Sequence, residues 1–415
     1  MLPAIPDEGR LILCCARTTV DPDSLTYAKT LIEKDLDWKA VKQFASFNRV
    51  VPLFYNGLLK ACPNQNPRGF LNDIGELASK YAVRNEKSLK LLLHILDLFE
   101  GNGIPAVPFK GVAFALSQYG DLKLRQCGDI DILVQRKNFL RAKDILIREG
   151  FNQLYFGHHE SATVQAALSR SPGNEVIDLH YGITPNFYPI LKEAMEGSRL
   201  ENTDRNKRVK NLTYWHFSLD SEALWTRLIP LDISGRRVSV FSPEDTLINA
   251  IVQGVKEAWL TLRRICDVAE LLRANPSLDW DLVLARAHEL KFEKNLCFGL
   301  FLAYCFLGAP LDERPLRMIQ KYFFIGGLAA HTQIMLFREN DEIDRHAFRM
   351  SSNFLTMDSY REKLRYLRFV GHRLRIKNEL GSTLRRYRAF LRMSTMPIVF
   401  KLRSRSCRGL DSNTV

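Results

Sequence analysis

Apolar residues at Leu89, Leu91, Leu92, Leu93, Ile95, Leu96, Leu98 and Phe99 recur at helical spacing, and Gly101 and Gly103 supply a stop. The first hundred residues are read as helices, and then the period changes. Ile104 to Phe109 is too short and too marked by proline (Pro105, Pro108) for a helix, which predicts a strand running into a turn at Lys110-Gly111. Gly111 to Tyr119 is small and apolar enough for a helix, closed by Gly120-Asp121. Asp129 to Val134 (DIDILV) alternates acid and apolar residues before going fully apolar, so it is read as a strand with two carboxylates on one side. Lys137 to Glu149 is amphipathic, with Leu140, Ile145 and Leu146 inward and Gly150 at the C-cap position. Phe151 to Phe156 and Glu175 to Tyr181 read as further strands.

Leu231 to Phe241 reads as a hairpin turning at Ser234-Gly235. Ser242-Pro243-Glu244-Asp245 then carries the marks of a helix start: a capping hydroxyl, a proline in the first turn and acids against the helix dipole. The pattern stays helical to about residue 345, with Leu262 to Leu272 and Trp280 to Leu290 as antiparallel bundle helices. Four regions are expected: an N-terminal helical region (1–100), an α/β core (101–242), a helical bundle (243–345), and a basic helical C-terminal region with a disordered end (346–415). The expected fold class is α+β.

With 415 residues, 46% hydrophobic and 25% charged, the chain has material for more than one core and the composition of a soluble protein. No apolar run has the length of a membrane span; the best, Tyr322 to Leu336, is broken by Gly326, Gly327 and His331. Asp7, Glu8 and Arg10 ahead of Leu11 to Cys15 do not resemble a cleaved signal. The eight cysteines form no CxxC pair and read as cytosolic, core-filling thiols. A cytoplasmic protein, peripheral at most on the inner membrane face, is expected. The charge of +13 is concentrated: Arg361 to Arg408 holds 15 Lys or Arg against two acids, which leaves 44 of each sign elsewhere. Such a stretch suits an anionic membrane surface or nucleic acid, or else forms a solvated helix face.

The chemistry concentrates in FKG at 109–111 and in GDIDILV, whose first acid, Asp129, lies 18 residues after Gly111. Period two puts Asp129 and Asp131 on one face of a strand, with Ile130 and Ile132 on the other. Carboxylates so placed repel, and a divalent cation, magnesium for an all-oxygen set, is the usual reason to hold them together. A glycine at a strand-to-helix turn lets backbone N–H groups approach a phosphate, and Lys110 adds a point charge. Asp178, between Ile177 and Leu179, is the candidate third carboxylate and base. Arg125 either clamps a phosphate or pairs with an acid. His180 shares the face of Asp178 and is read as a satisfied strand histidine, and Lys256, Arg263 and Arg264 as solvated helix positions. The cluster His158-His159-Glu160 is read as loop, and Trp215, Trp225 and Trp259 as core.

These segments resemble the uncharacterised nucleotidyltransferase family of bacteria, a branch of the polymerase-beta-like nucleotidyltransferases often linked with polysaccharide or exopolysaccharide gene clusters. The resemblance rests on FKGVAFALSQYGDLKLRQCGDIDILV (109–134), VIDLHYGI (176–183), SPEDTLINAIVQGVKEAWLTLRRICDVAELL (242–272) and LDWDLVLARA (278–287). LDW at 36–38 and EKLRYLRF at 362–369 extend it to about nine tenths of the chain.

The resemblance implies a polymerase-beta-like core, a small mixed sheet with helices, flanked by helical regions. It implies that Asp129 and Asp131 hold two magnesium ions, that Asp178 activates the acceptor, and that Lys110-Gly111 replaces the superfamily's Gly-Ser turn. Gln253 and Glu257 stand where the family often carries histidines. The expected function is transfer of an NMP group from a nucleoside triphosphate to an unknown hydroxyl or phosphate acceptor, with Lys110, Gly111 and Arg125 binding the nucleotide. The alternative is a non-catalytic nucleotide-binding or scaffold protein of a polysaccharide assembly system, docked on an anionic membrane through its basic tail.

Overall fold

The computed structural model describes residues 5–62, 69–154, 164–171, 175–184, 219, 221–337 and 342–376. Helices α1 (Asp7–Cys15), α2 (Pro22–Ile32), α3 (Trp38–Phe47), α4 (Val51–Ala61) and the long α5 (Phe70–Gly101) come first. Asp21 and Asp37 cap α2 and α3, each carboxylate accepting from backbone N–H groups of the first turn that have no partner inside the helix.

Strand β1 (Ala106–Pro108) leads into α6 (Gly111–Phe114), which widens to a π-helical turn over Ala115–Tyr119. Strand β2 (Ile130–Val134), a 3-10 turn, α7 (Phe139–Arg148), β3 (Asn152–Gln153), β4 (Gln165–Arg170) and β5 (Glu175–His180) complete a five-stranded sheet in the order β1-β2-β5-β4-β3. Only β2 and β5 run parallel; the other neighbours are antiparallel, so the sheet is mixed. The prolines of the β1 segment are tolerated because β1 is an edge strand of this sheet.

Alternation along the strands splits the two faces of the sheet. Ile130, Ile132, Val134, Ile177, Leu179, Ala166 and Leu168 pack on one face against Leu92, Ile95 and Phe99 of α5 and Ala142 and Leu146 of α7. On the other face Val107 and Leu133 join the larger core of the helices, and the carboxylates of Asp131 and Asp178 sit beside them in the strand order.

After α8 (Ser221–Trp225), the hairpin β6 (Ile229–Ile233) and β7 (Arg236–Val240) turns at Ser234-Gly235, both with positive φ (55° and 80°), as a type I′ turn requires. Helix α9 (Pro243–Lys256) begins as expected, with Ser242 accepting from the Asp245 N–H at 3.3 Å. Helices α10 (Leu262–Ala274), α11 (Trp280–Glu289), α12 (Glu293–Leu307), α13 (Glu313–Gln320), α14 (Ile325–Phe337), α15 (Glu342–Thr356) and α16 (Tyr360–Ile376) follow. Among the described residues no helix is long and apolar enough to cross a membrane.

Some expectations are corrected. Leu140 points outward (64% exposed), because two residues of helical rotation carry it to the side of α7 opposite Ala142, which is buried with Ile145 and Leu146. Strand β3 covers only Asn152 and Gln153, and β4 was not expected, since QAALSR lacks the branched and aromatic residues that mark a strand. Trp259 is buried and Trp225 packs partly buried against the core, whereas Trp215 and the His158–Glu160 cluster lie outside the described residues.

Candidate metal and nucleotide site

The parallel pairing of β2 and β5 sets Asp131 directly opposite Asp178, and Leu133 opposite His180. Asp131 is 5% exposed; its Oδ1 accepts from Lys110 Nζ at 2.8 Å and lies 3.2 Å from His180 Nε2. Burial alone would raise its pKa, but the Lys110 charge and the His180 hydrogen bond outweigh that and hold the carboxyl well below the usual range. Asp178 behaves oppositely. Burial, then the charges of Asp131 and Asp129, then a side-chain hydrogen bond with Asp129 push its pKa up to about 7, against the opposing charge of Lys110. Two carboxylates a strand apart thus differ in protonation because one holds the lysine.

His180 is buried and its pKa is lowered, chiefly by burial, so the ring is neutral near pH 7. Phe109 meets it edge-on at 5.0 Å between centroids. One donor atom each from Asp131, Asp178 and His180 lies within 4.8 Å of the others. Asp129 is exposed, one residue before β2, and adjoins Asp178. Of the three expected carboxylates, two therefore converge with a histidine and the third stands outside them. Two close carboxylates with a neutral imidazole beside them are a donor set that fits a divalent cation.

The approach to this cluster is built by the turn after β1. Lys110 is extended, and Gly111 has φ +58°, where a Cβ would meet the Asp129 carbonyl oxygen at 3.1 Å. Glycine meets both demands, conformation and proximity, and so the turn can lie against the entry to β2. From the other side, Asn249 of α9 donates to the Phe109 carbonyl at 3.4 Å, which ties the helical bundle to the same turn.

Residues 34–308 match the family described as uncharacterised nucleotidyltransferase. The chain belongs to that family. The match stops short of EKLRYLRF at 362–369, which the sequence reading had included. No curated protein matches the chain. Among solved structures, an antigenic nucleotidyltransferase-like protein from Paracoccidioides brasiliensis is similar at 18% identity, over 54% of this chain and 92% of that one, with a TM-score of 0.27.

Within this nucleotidyltransferase-family chain, Arg125 is buried beside an acid. Its Nε and Nη2 donate to the two carboxylate oxygens of Asp267 at 2.7 and 2.9 Å, its Nη1 to the Gly111 carbonyl at 3.3 Å, and it is 4% exposed. Of the two readings of Arg125, the structure shows the ion pair with an acid. Tyr119, at the end of the π-helical turn, donates its hydroxyl to the same Asp267 at 2.8 Å.

Lys256 was undervalued by the sequence reading. It is exposed at the end of α9, one helical face on from Asn249 and Gln253, and makes no hydrogen bond or ion pair among the described residues. Its ammonium faces Lys110, Asp131 and Asp178, and its pKa is lowered, first by desolvation and then by Lys110. The signal available was its spacing of three residues from Gln253 and seven from Asn249, which puts all three on one helical face. Gln253 itself is buried and donates to Asn249 at 3.3 Å, while Glu257 is paired with Arg264 and accepts from the Thr261 hydroxyl at 3.1 Å. In this chain Glu257 ties the end of α9 to α10, while Gln253 bonds within α9.

Proposed function

We propose that the chain transfers a nucleoside monophosphate group from a nucleoside triphosphate, ATP among the candidates, to a hydroxyl or phosphate acceptor. The observation that supports this most is Asp131 facing Asp178 across β2 and β5, with Lys110 bonded to Asp131 and the Lys256 charge close to both carboxylates. Asp129, Asp131 and Asp178 would hold magnesium, two ions by the family resemblance; bound there, magnesium offsets the charge that develops on the phosphate oxygens.

The chain's own residues divide the remaining work. Lys256 and Lys110 supply cations for the triphosphate, and Gly111 lets the backbone come close to it. Asp178, directly opposite Asp131 in the sheet, takes the acceptor's proton. The acceptor oxygen then bonds to the α-phosphorus as the bond to the bridging oxygen breaks, and pyrophosphate leaves with that electron pair. Arg125 acts at one remove, holding the Gly111 carbonyl. A role in polysaccharide biosynthesis rests on the family resemblance alone.

The test is calorimetric titration of the full chain with non-hydrolysable α,β-linked analogues of ATP, CTP, GTP and UTP, with and without magnesium. Magnesium-dependent binding of one analogue, lost in Asp131→Asn, is the expected result. No binding by any analogue rejects the reading.

A further inference from the structure

The sequence reading makes His180 a strand histidine with its hydrogen bonds satisfied, and the structure does not agree. Its Nε2 has Asp131, but its Nδ1 is buried with no hydrogen-bond partner among the described residues. A buried nitrogen left without a partner asks for an explanation. The ring is held in place: Phe109 packs against it at 87° between ring planes, and β5 fixes its backbone two residues from Asp178, on the same face. Its donor atom belongs to the same 4.8 Å group as those of Asp131 and Asp178, whereas Asp129, the residue expected to complete the set, lies outside that group.

Resting on the metal-dependent reading above, we propose that His180 is itself a metal ligand, so that the centre is a mixed carboxylate–imidazole site selecting a first-row transition-metal dication over magnesium. Magnesium takes oxygen ligands and keeps its waters, whereas imidazole nitrogen favours the transition metals. Three protein ligands of this kind leave open positions for substrate oxygens.

The experiment uses the full chain with Mn²⁺ alone as the probe. Pulsed electron paramagnetic resonance of the bound Mn²⁺ is expected to show coupling to an imidazole ¹⁴N, and His180→Gln to abolish it. Competition titration is expected to show Mn²⁺ held at least tenfold tighter than Mg²⁺, with the preference falling about tenfold in His180→Gln. Mn²⁺ bound without nitrogen coupling would overturn the proposal, leaving His180 as a hydrogen-bond partner of Asp131 and the carboxylate site standing. Absence of binding by both ions would overturn this proposal together with the metal-dependent reading. The wild-type spectrum decides the matter even if His180→Gln does not fold.

Discussion

Arg125 and Asp267 form a two-pronged ion pair, each 4% exposed at the side chain, that ties the loop before β2 to helix α10. The loop residue also holds the Gly111 carbonyl, and the helix residue also holds Tyr119, so one carboxylate fixes both ends of the segment that carries Lys110. Arg264 approaches the same carboxylate at 3.6 Å.

Removing one member of such a pair leaves a buried charge without its partner, which costs about 3–5 kcal/mol. Asp267→Ala is therefore expected to lower the unfolding free energy, read from urea melts, by that order. The double replacement Arg125→Met/Asp267→Leu is expected to recover much of the loss, because two apolar groups leave no stranded charge. Equal destabilisation by the single and double variants would show that the pair is not what holds the loop.

Gly111→Ala tests the turn rather than the ion pair. A left-handed φ costs a residue with a Cβ about 1–2 kcal/mol, and the added carbon must also push on the Asp129 carbonyl 3.1 Å away. A thermal melt is expected to show a loss of that size, and magnesium-dependent nucleotide binding to fall further than stability does. A variant that binds nucleotide as the wild type does would remove Gly111 from the site.

The facing carboxylates are expected to respond to mutation with opposite signs. The folded pKa of Asp178, about 7, lies above the unfolded value of 3.8, so the folded state binds the extra proton and metal-free stability falls as pH rises from about 4 to about 7. Asp178→Asn removes that penalty and is expected to stabilise the metal-free protein at pH 8 by ~1–3 kcal/mol while abolishing metal binding. Asp131→Asn strips the charge that Lys110 and His180 hold and is expected to destabilise it at the same pH. Urea melts of the two variants at pH 5 and pH 8 check both signs.

What was legible in the sequence was local. Period two fixed the faces of β2, Ser234-Gly235 marked the hairpin, and Ser242 marked the start of α9. What was not legible depends on contacts between distant positions. Arg125 meets an acid 142 residues away, and no spacing rule connects them. The parallel register that puts Asp178 opposite Asp131 belongs to the sheet order, and the strand inserted beside β5, β4, carries too little apolar alternation to be seen. His180 and Lys256 were undervalued for the same reason: an isolated histidine or lysine has no motif, and their neighbours exist only in the folded chain.

Helix α16 gives the basic region a second surface. Tyr360, Leu364 and Leu367 are 86%, 61% and 39% exposed at spacings of four and three, which makes one apolar stripe, while Tyr366 at 3% faces the core. Arg361 and Arg368 run along one side of that stripe, and the rest of the basic stretch, residues 377–408, lies outside the described residues. An apolar stripe bordered by arginines suits the interface of an anionic bilayer, where the leucines enter the acyl boundary and the cations meet headgroups. Sedimentation with vesicles is expected to show binding to phosphatidylglycerol-containing membranes and none to pure phosphatidylcholine. Leu364→Glu/Leu367→Glu is expected to weaken it at constant ionic strength, and added salt to weaken the wild type. Binding that ignores the two leucines but falls steeply with salt would instead leave a purely electrostatic surface, open to nucleic acid as much as to lipid.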